Sequence, residues 1–180
     1  MNGIPILKTQ RPRLRAWRDD DRAPFAAFNA DSRVMEFLPK PLDRDESDAM
    51  ADRIAAHFAE HRVGLWAVEV PGIAPFIGFV GLAVAKFDAP FTPCIEIGWR
   101  LAFNHWEQGY ASEAARATIE DGFGRLGLRE TVSFTVPRNL RSRAVMERIG
   151  MRRDPADDFD HPNFAEDHPL RRHALYRLGR

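Results

Sequence analysis

The chain of 180 residues contains a single cysteine, Cys94, so no intrachain disulfide framework can form, and no CxxC or HExxH spacing offers a metal its ligands. A reducing compartment suits such a chain, and a cytoplasmic location is the expectation. No apolar run approaches the roughly 20 residues that cross a bilayer. The amino-terminal MNGIPILKTQRPRLRAW has neither a long apolar region nor a small-residue cleavage site, which argues against a secretory signal. Net charge is missing as well, because Lys plus Arg and Asp plus Glu both number 26. A dedicated nucleic-acid binder carries a basic excess, so neither a nucleic acid nor a membrane is an expected partner.

The rest is ordinary for a soluble globular protein: 44% hydrophobic and 29% charged residues, enough to bury a core, with length for one domain over 1–180. Leu14 to Trp17 reads as a first strand, and Asp19, Asp20 and Asp21 can cap the helix behind it, with Phe25 and Phe28 on one face. Asp43 and Glu46 have capping-box spacing ahead of Met50, Ile54 and Phe58, which predicts an amphipathic helix from Asp43 to about His61. LWAVEV (65–70), the turn at Pro71 and Gly72, and FIGFVGLAV (76–84) predict a hairpin. Further strands are expected over Cys94 to Leu101, 131–136 and 173–178. Helices are expected from Ala111 to about Phe123 and from Asn139 to Ile149, the last stopped by Gly150. No internal repeat or linker interrupts this order, so one mixed sheet flanked by helices is the simplest packing.

The segment IEIGWRLAFNHWEQGYASEA, from Ile95 to Ala114, carries the chemistry: an apolar strand enters a small-residue turn that opens directly into a helix. Consecutive backbone N–H groups of Gln108, Gly109, Tyr110, Ala111 and Ser112 at a helix amino terminus suit a phosphate without needing a basic side chain. The bland alternative is that Gly109 and Ala111 only let the chain turn tightly. A second match, GFGRLG at Gly122, Gly124 and Gly127, has the letters of a dinucleotide fingerprint in the wrong context. A helix precedes it and a strand follows, so it reads as helix termination.

With these residues in place the chain resembles the GCN5-related N-acetyltransferases (GNAT), in particular the branch similar to the enzymes that acetylate ribosomal-protein amino termini. LRAWRDDDRAPFAAFNADSRVMEFLP, EIGWRL, GYASEA and NLRSRAVMERIGM occur in the order of that family and span nearly the whole chain. The resemblance implies an α/β (α+β) fold, with a mixed, mostly antiparallel sheet of six to seven strands and a splayed central strand pair. It also implies acetyl-CoA as cosubstrate, no metal, an amine acceptor and a monomer or homodimer. Gly109 and Ala111 match the pyrophosphate turn of the family, whereas Trp106 departs from its Arg or Gln. Ile97, Gly98, Trp99 and Arg100 match the strand that pairs with pantetheine, though Gly98 also suits a bulge. Asn139 and Ser142 match residues near the pantetheine and sulfur, though both also suit a helix start.

Transfer from a thioester to an amine calls for a base, and Glu96 is the candidate because a carboxylate is out of pattern in that apolar strand. The alternative is that Glu96 faces solvent or pairs structurally with Arg100 or another base. Ser142 is the candidate acid for the departing thiolate, since Tyr110 and Tyr176 are not placed for it. His161, His168 and His173, among Asp157, Asp158, Asp160 and Asp167, match no metal spacing and read as a solvated loop that can border the acceptor pocket. Cys94 reads as inert packing, and Trp66, Phe79 and Trp99 as core aromatics. The rival readings are a non-catalytic acyl-CoA-binding module and an acyltransferase using a longer acyl donor.

Overall fold

A computed structural model describes residues 4–180. Its helices are α1 (Arg22–Asn29), α2 (Arg44–His61), α3 (Tyr110–Gly124) and α4 (Leu140–Arg148). The long strands are β3 (Leu65–Val70), β4 (Ala74–Val84), β5 (Ile95–Leu101), β6 (Glu130–Thr135) and β9 (Arg172–Gly179), with β2 (Arg13–Arg15) shorter. Three two-residue strands, β1 (Leu7–Lys8), β7 (Arg152–Arg153) and β8 (Phe159–Asp160), raise the total above the six to seven expected. Two residues are too few to show the alternation by which a strand is read from sequence.

One nine-stranded sheet runs β1-β2-β3-β4-β5-β6-β9-β7, with β8 paired to β9. Every pairing is antiparallel except β5 with β6, which is parallel and holds one registered pair, Glu96 with Val132. Thr131 Oγ1 adds a bond to the Ile95 carbonyl at 3.0 Å. Beyond that point the two strands part, so a gap opens in the middle of the sheet. Among the described residues no helix is long and apolar enough to cross a membrane.

The helices cover the two faces of the sheet. On one face Ala114, Ala115 and Ile119 of α3 and Met146 of α4 bury against Ile97 and Leu101 of β5. On the other, Phe25 and Phe28 of α1 and Ala51 and Ile54 of α2 pack on Ala67, Phe76 and Phe79. The cap of α2 is as its sequence predicts: Asp43 Oδ1 accepts the Glu46 N–H at 2.8 Å and Glu46 Oε2 accepts the Asp43 N–H at 3.1 Å. Gly150 likewise closes α4 with φ +89°.

The amino-terminal expectation needs correction. Asp19–Asp21 form a 3-10 turn, and Asp21 makes no side-chain cap to α1. Its carboxylate is instead drawn to Arg15, whose Nη1 and Nη2 donate to Asp21 at 2.7 and 2.8 Å while Nε donates to Glu69 at 2.9 Å. A strand guanidinium that is 3% exposed outcompetes the helix end, because a buried cation needs a carboxylate at once. The strand itself stops at Arg15, and Trp17 turns into the α1 cluster, 4.9 Å from Phe25 between ring centroids. Replacing Arg15 with Met should therefore strand the buried Asp21 carboxylate, while Glu69 keeps Arg13 and Arg18, and cost about 3–5 kcal/mol, measured as a lower urea midpoint at neutral pH.

Candidate active site

The turn before α3 leaves backbone donors unpaired. Gly109 is the residue before the helix with φ +82°, a conformation that a side chain would strain, and it makes no side-chain cap. The first helical bond runs from Glu113 N–H to the Gly109 carbonyl at 3.1 Å, so the N–H groups of Tyr110, Ala111 and Ser112 have no acceptor within the helix. Ser112 Oγ is buried here with no hydrogen-bond partner among the described residues. Trp106, where the family has Arg or Gln, closes the strand end instead: its indole Nε1 donates to the Leu101 carbonyl at 2.8 Å. Gln108 turns its side chain to the Asn104 carbonyl at 3.0 Å, leaving its backbone for the turn.

A basic side chain at this turn escapes sequence reasoning. Arg11 comes from the β1–β2 connection and donates to the Gln108 carbonyl at 2.8 Å and to Glu113 Oε2 at 2.8 Å. Its guanidinium lies 4.9 Å from the Tyr110 ring centroid, and a Cβ on Gly109 would stand 3.2 Å from its Nη2. The partners are about a hundred positions apart in sequence, so no local motif marks Arg11. Only the placement of the short edge strands beside α3 brings it to the turn.

A cleft of about 1360 Å³ starts at this turn and passes through the gap between β5 and β6, lined on the way by Gly98, Trp99, Ser133, Asn139 and Ser142. On β5, Ile97 and Leu101 point into the core under α3. Glu96, Gly98 and Arg100 take the other face, as period two requires, and all three line the cleft. A Cβ on Gly98 would stand 3.7 Å from Glu96 Oε1, so the glycine leaves the space over which that carboxylate lies.

Glu96 is enclosed by protein except toward the cleft, and loss of water lifts its carboxyl to about 8. It has no hydrogen bond or ion pair among the described residues. Arg100 does not pair with it, which removes that alternative. The Arg100 Nη1 donates to Asn29 Oδ1 at 2.8 Å, and its guanidinium carbon lies 5.4 Å from the Phe79 ring centroid.

At the start of α4, Asn139 Oδ1 accepts the Ser142 N–H at 3.2 Å and Asn139 Nδ2 donates to Thr135 Oγ1 at 2.9 Å. The capping role is thus realised, while one lone pair and one N–H of the amide stay free for a ligand. Ser142 reaches the cleft wall. Tyr176 lies on β9 with its hydroxyl between Arg143 Nε at 3.0 Å and Glu147 Oε1 at 2.9 Å, committed to the α4 face.

Of the remaining candidates, Phe79 and Trp99 alone reach the cleft. Burial, with the Glu96 charge behind it, pushes the Cys94 thiol up to about 11, so it is no nucleophile near neutrality. Trp66 is wholly buried and bonds the Pro5 carbonyl at 2.9 Å, whereas Phe79 and Trp99 line the cleft. The solvated-loop expectation for the tail is overturned for two of its histidines. His161 stands 4.4 Å from Phe87 and His173 5.9 Å from Phe134, between ring centroids, in an aromatic cluster that lowers both imidazoles by burial. Asp157 and Asp160 pair with Arg177 and Arg172, Asp158 with Arg153. Among the described residues no group of three metal-ligating side chains forms.

A sheet opened at one parallel pair, with an anion turn on one side and a lone carboxylate on the other, defines an acyltransferase architecture. Residues 11–152 match the acetyltransferase (GNAT) domain family, and the chain belongs to it. It is similar to the uncharacterized N-acetyltransferase YnaD of Bacillus subtilis, 32% identical over 152 residues that cover 82% of this chain and 83% of that protein. An acetyltransferase from Agrobacterium tumefaciens superposes with a TM-score of 0.79 at 28% identity, covering 100% of this chain and 97% of the other. Mycobacterium smegmatis RimJ, solved with a CoA-disulfide, shares the fold with a TM-score of 0.78 at 17% identity over 98% of this chain and 88% of its own.

The raised Glu96 carboxyl has a consequence for stability. Between the ordinary 4.5 and about 8 the folded state holds a proton that the unfolded state has lost, so stability falls as pH rises through that window. The slope from one group is at most about 1.4 kcal/mol per pH unit. Urea titrations at several pH values should show it, and Glu96→Gln should flatten it.

Proposed function

We propose that this chain, acting as one catalytic domain, transfers acetyl from acetyl-CoA to a primary amine by direct attack in a ternary complex. The observation that carries this reading is the cleft itself, which joins an anion turn on the α3 face to an unpaired carboxylate on the α1–α2 face. The turn from Gln108 to Ser112 suits the diphosphate, with the guanidinium of Arg11, paired to Glu113, at its mouth. Beyond the Glu96–Val132 pair the β6-facing edge of β5 has no strand beside it. The main chain of Ile97 to Arg100 is therefore available to pair with pantetheine, as a strand would, and to donate to the oxyanion. Asn139 offers its free amide positions to the same arm.

Glu96 takes the proton from the incoming ammonium. A carboxylate near 8 is a stronger base than an ordinary glutamate and still ionises close to neutral pH, which suits an amine that must be neutral to attack. Nitrogen then bonds to the thioester carbon and the carbon–sulfur bond breaks; Ser142 passes its hydroxyl proton to the departing thiolate and is reprotonated by the second proton that the nitrogen loses as the amide forms. The CoA complex of RimJ and the N-acetyltransferase name of YnaD support the donor and the reaction class.

Thiol release from acetyl-CoA, assayed with peptide amino termini, polyamines and aminoglycosides, tests this reading and separates it from a binding module or a longer-chain acyltransferase. Release should exceed the acceptor-free rate for one class and decline with longer acyl donors. The kcat/KM should rise with pH and level off above about pH 8, because the protonated carboxyl below that value accepts no proton. Glu96→Gln should cut kcat by about 10²- to 10⁴-fold and remove that limb. An unaltered profile in the variant would dismiss Glu96 as the base.

A further inference from the structure

Two half-buried charges on the same face of β5 lack a counterion among the described residues. Glu96 has no partner, and Arg100, four residues on, has only the neutral Asn29 and a 3.8 Å contact to the Met50 sulfur. They stand about 13 Å apart along the strand, at roughly 3.3 Å per residue, and no ion pair joins them. Arg15, more fully enclosed at 3% exposed, takes two carboxylates, Asp21 and Glu69. A guanidinium removed from water ordinarily does the same, since an unpaired buried charge is costly.

Arg100 is nevertheless held in place. Asn29, wholly buried on α1, accepts from its Nη1 at 2.8 Å and donates through Nδ2 to Ser47 Oγ on α2 at 3.0 Å, with Ser47 wholly buried too. This relay fixes the guanidinium from one side, while Arg100 lines the cleft on the other. Burial lowers it to about 10, so it stays charged at neutral pH. It packs against α1 and α2, across the sheet from the α3 turn where the diphosphate would lie, so its missing anion belongs to the acceptor half of the cleft.

We propose that the acceptor amine carries an anionic group, a carboxylate, which docks on Arg100 while the amine stands at Glu96. This rests on amine acetylation as the reaction and names its substrate class. The spacing exceeds what the α-carboxylate of a free amino acid reaches from its own amine. It suits an ω-carboxylate on a small amine or an acidic side chain at the first positions of a peptide amino terminus. Both present the same chemistry: a cation for Glu96, an anion for Arg100 and a chain between. Asn29 is a positioning residue that acts through Arg100.

The test is thiol release measured with matched acceptors. One arm compares ε-aminocaproate with its primary amide, and the other compares a peptide with glutamate at its second position against the same peptide with glutamine. In one arm or both, the acid should exceed its amide in kcat/KM by about 10- to 100-fold, the worth of hydrogen bonds to a charged group. The arm that shows the preference identifies the source of the carboxylate. Arg100→Gln should bring that ratio close to one and Arg100→Lys should keep part of it. Equal use of acid and amide by the wild type, or a ratio unchanged in Arg100→Gln, overturns the proposal. If no acceptor is acetylated at all, the reaction reading fails separately. Calorimetry of glutarate and glutaramide on the CoA-bound protein then decides the anion site: glutarate binding that Arg100→Gln abolishes upholds it, and no difference between the two proteins overturns it.

Discussion

The structure turns on one parallel pairing in an otherwise antiparallel sheet. β5 and β6 share a single registered pair, Glu96 with Val132, and then diverge. A parallel pair needs a crossover, and α3 supplies it, so its amino terminus is delivered beside the end of β5. The gap leaves backbone of β5 unpaired in mid-sheet, a cost that a folded protein accepts only where another group completes the ladder. The same gap connects the α3 face of the sheet with the face covered by α1 and α2.

Charge placement follows the same division. Where charges serve the scaffold they are matched, as in Arg15 with Asp21 and Glu69. Within the cleft the exceptions are Glu96 and Arg100, on one strand face and each lacking a counterion among the described residues. Desolvation moves both toward neutrality, the carboxyl up to about 8 and the guanidinium down to about 10. Matching them internally would stabilise the fold and leave nothing for a substrate to satisfy.

Much of the candidate site is legible in the sequence because its pattern is local. Gly109 to Ser112 is a strand-turn-helix signature, Asn139 and Ser142 are one helical turn apart, and Glu96 breaks an apolar strand. The hairpin from Leu65 to Val84 and the capping box at Asp43 are equally local. The misreadings fall where a distant partner decides. Asp21 leaves its cap for Arg15, His161 and His173 leave solvent for an aromatic cluster with Phe87 and Phe134, and the two-residue strands exist only because β2 and β9 are there to pair with.

From the sequence alone came the order of the elements, the anion turn, the family resemblance and the odd carboxylate in an apolar run. Those depend on hydrogen bonds and periodicities spanning a few residues. Tertiary structure decided that Arg11 stands at the turn, that Glu96 and Arg100 do not neutralise each other, and that Asn29 and Ser47 hold the guanidinium toward the cleft. These facts depend on which surfaces meet across the sheet, and burial of a charge is a property of the assembled neighbours, not of the strand that carries it.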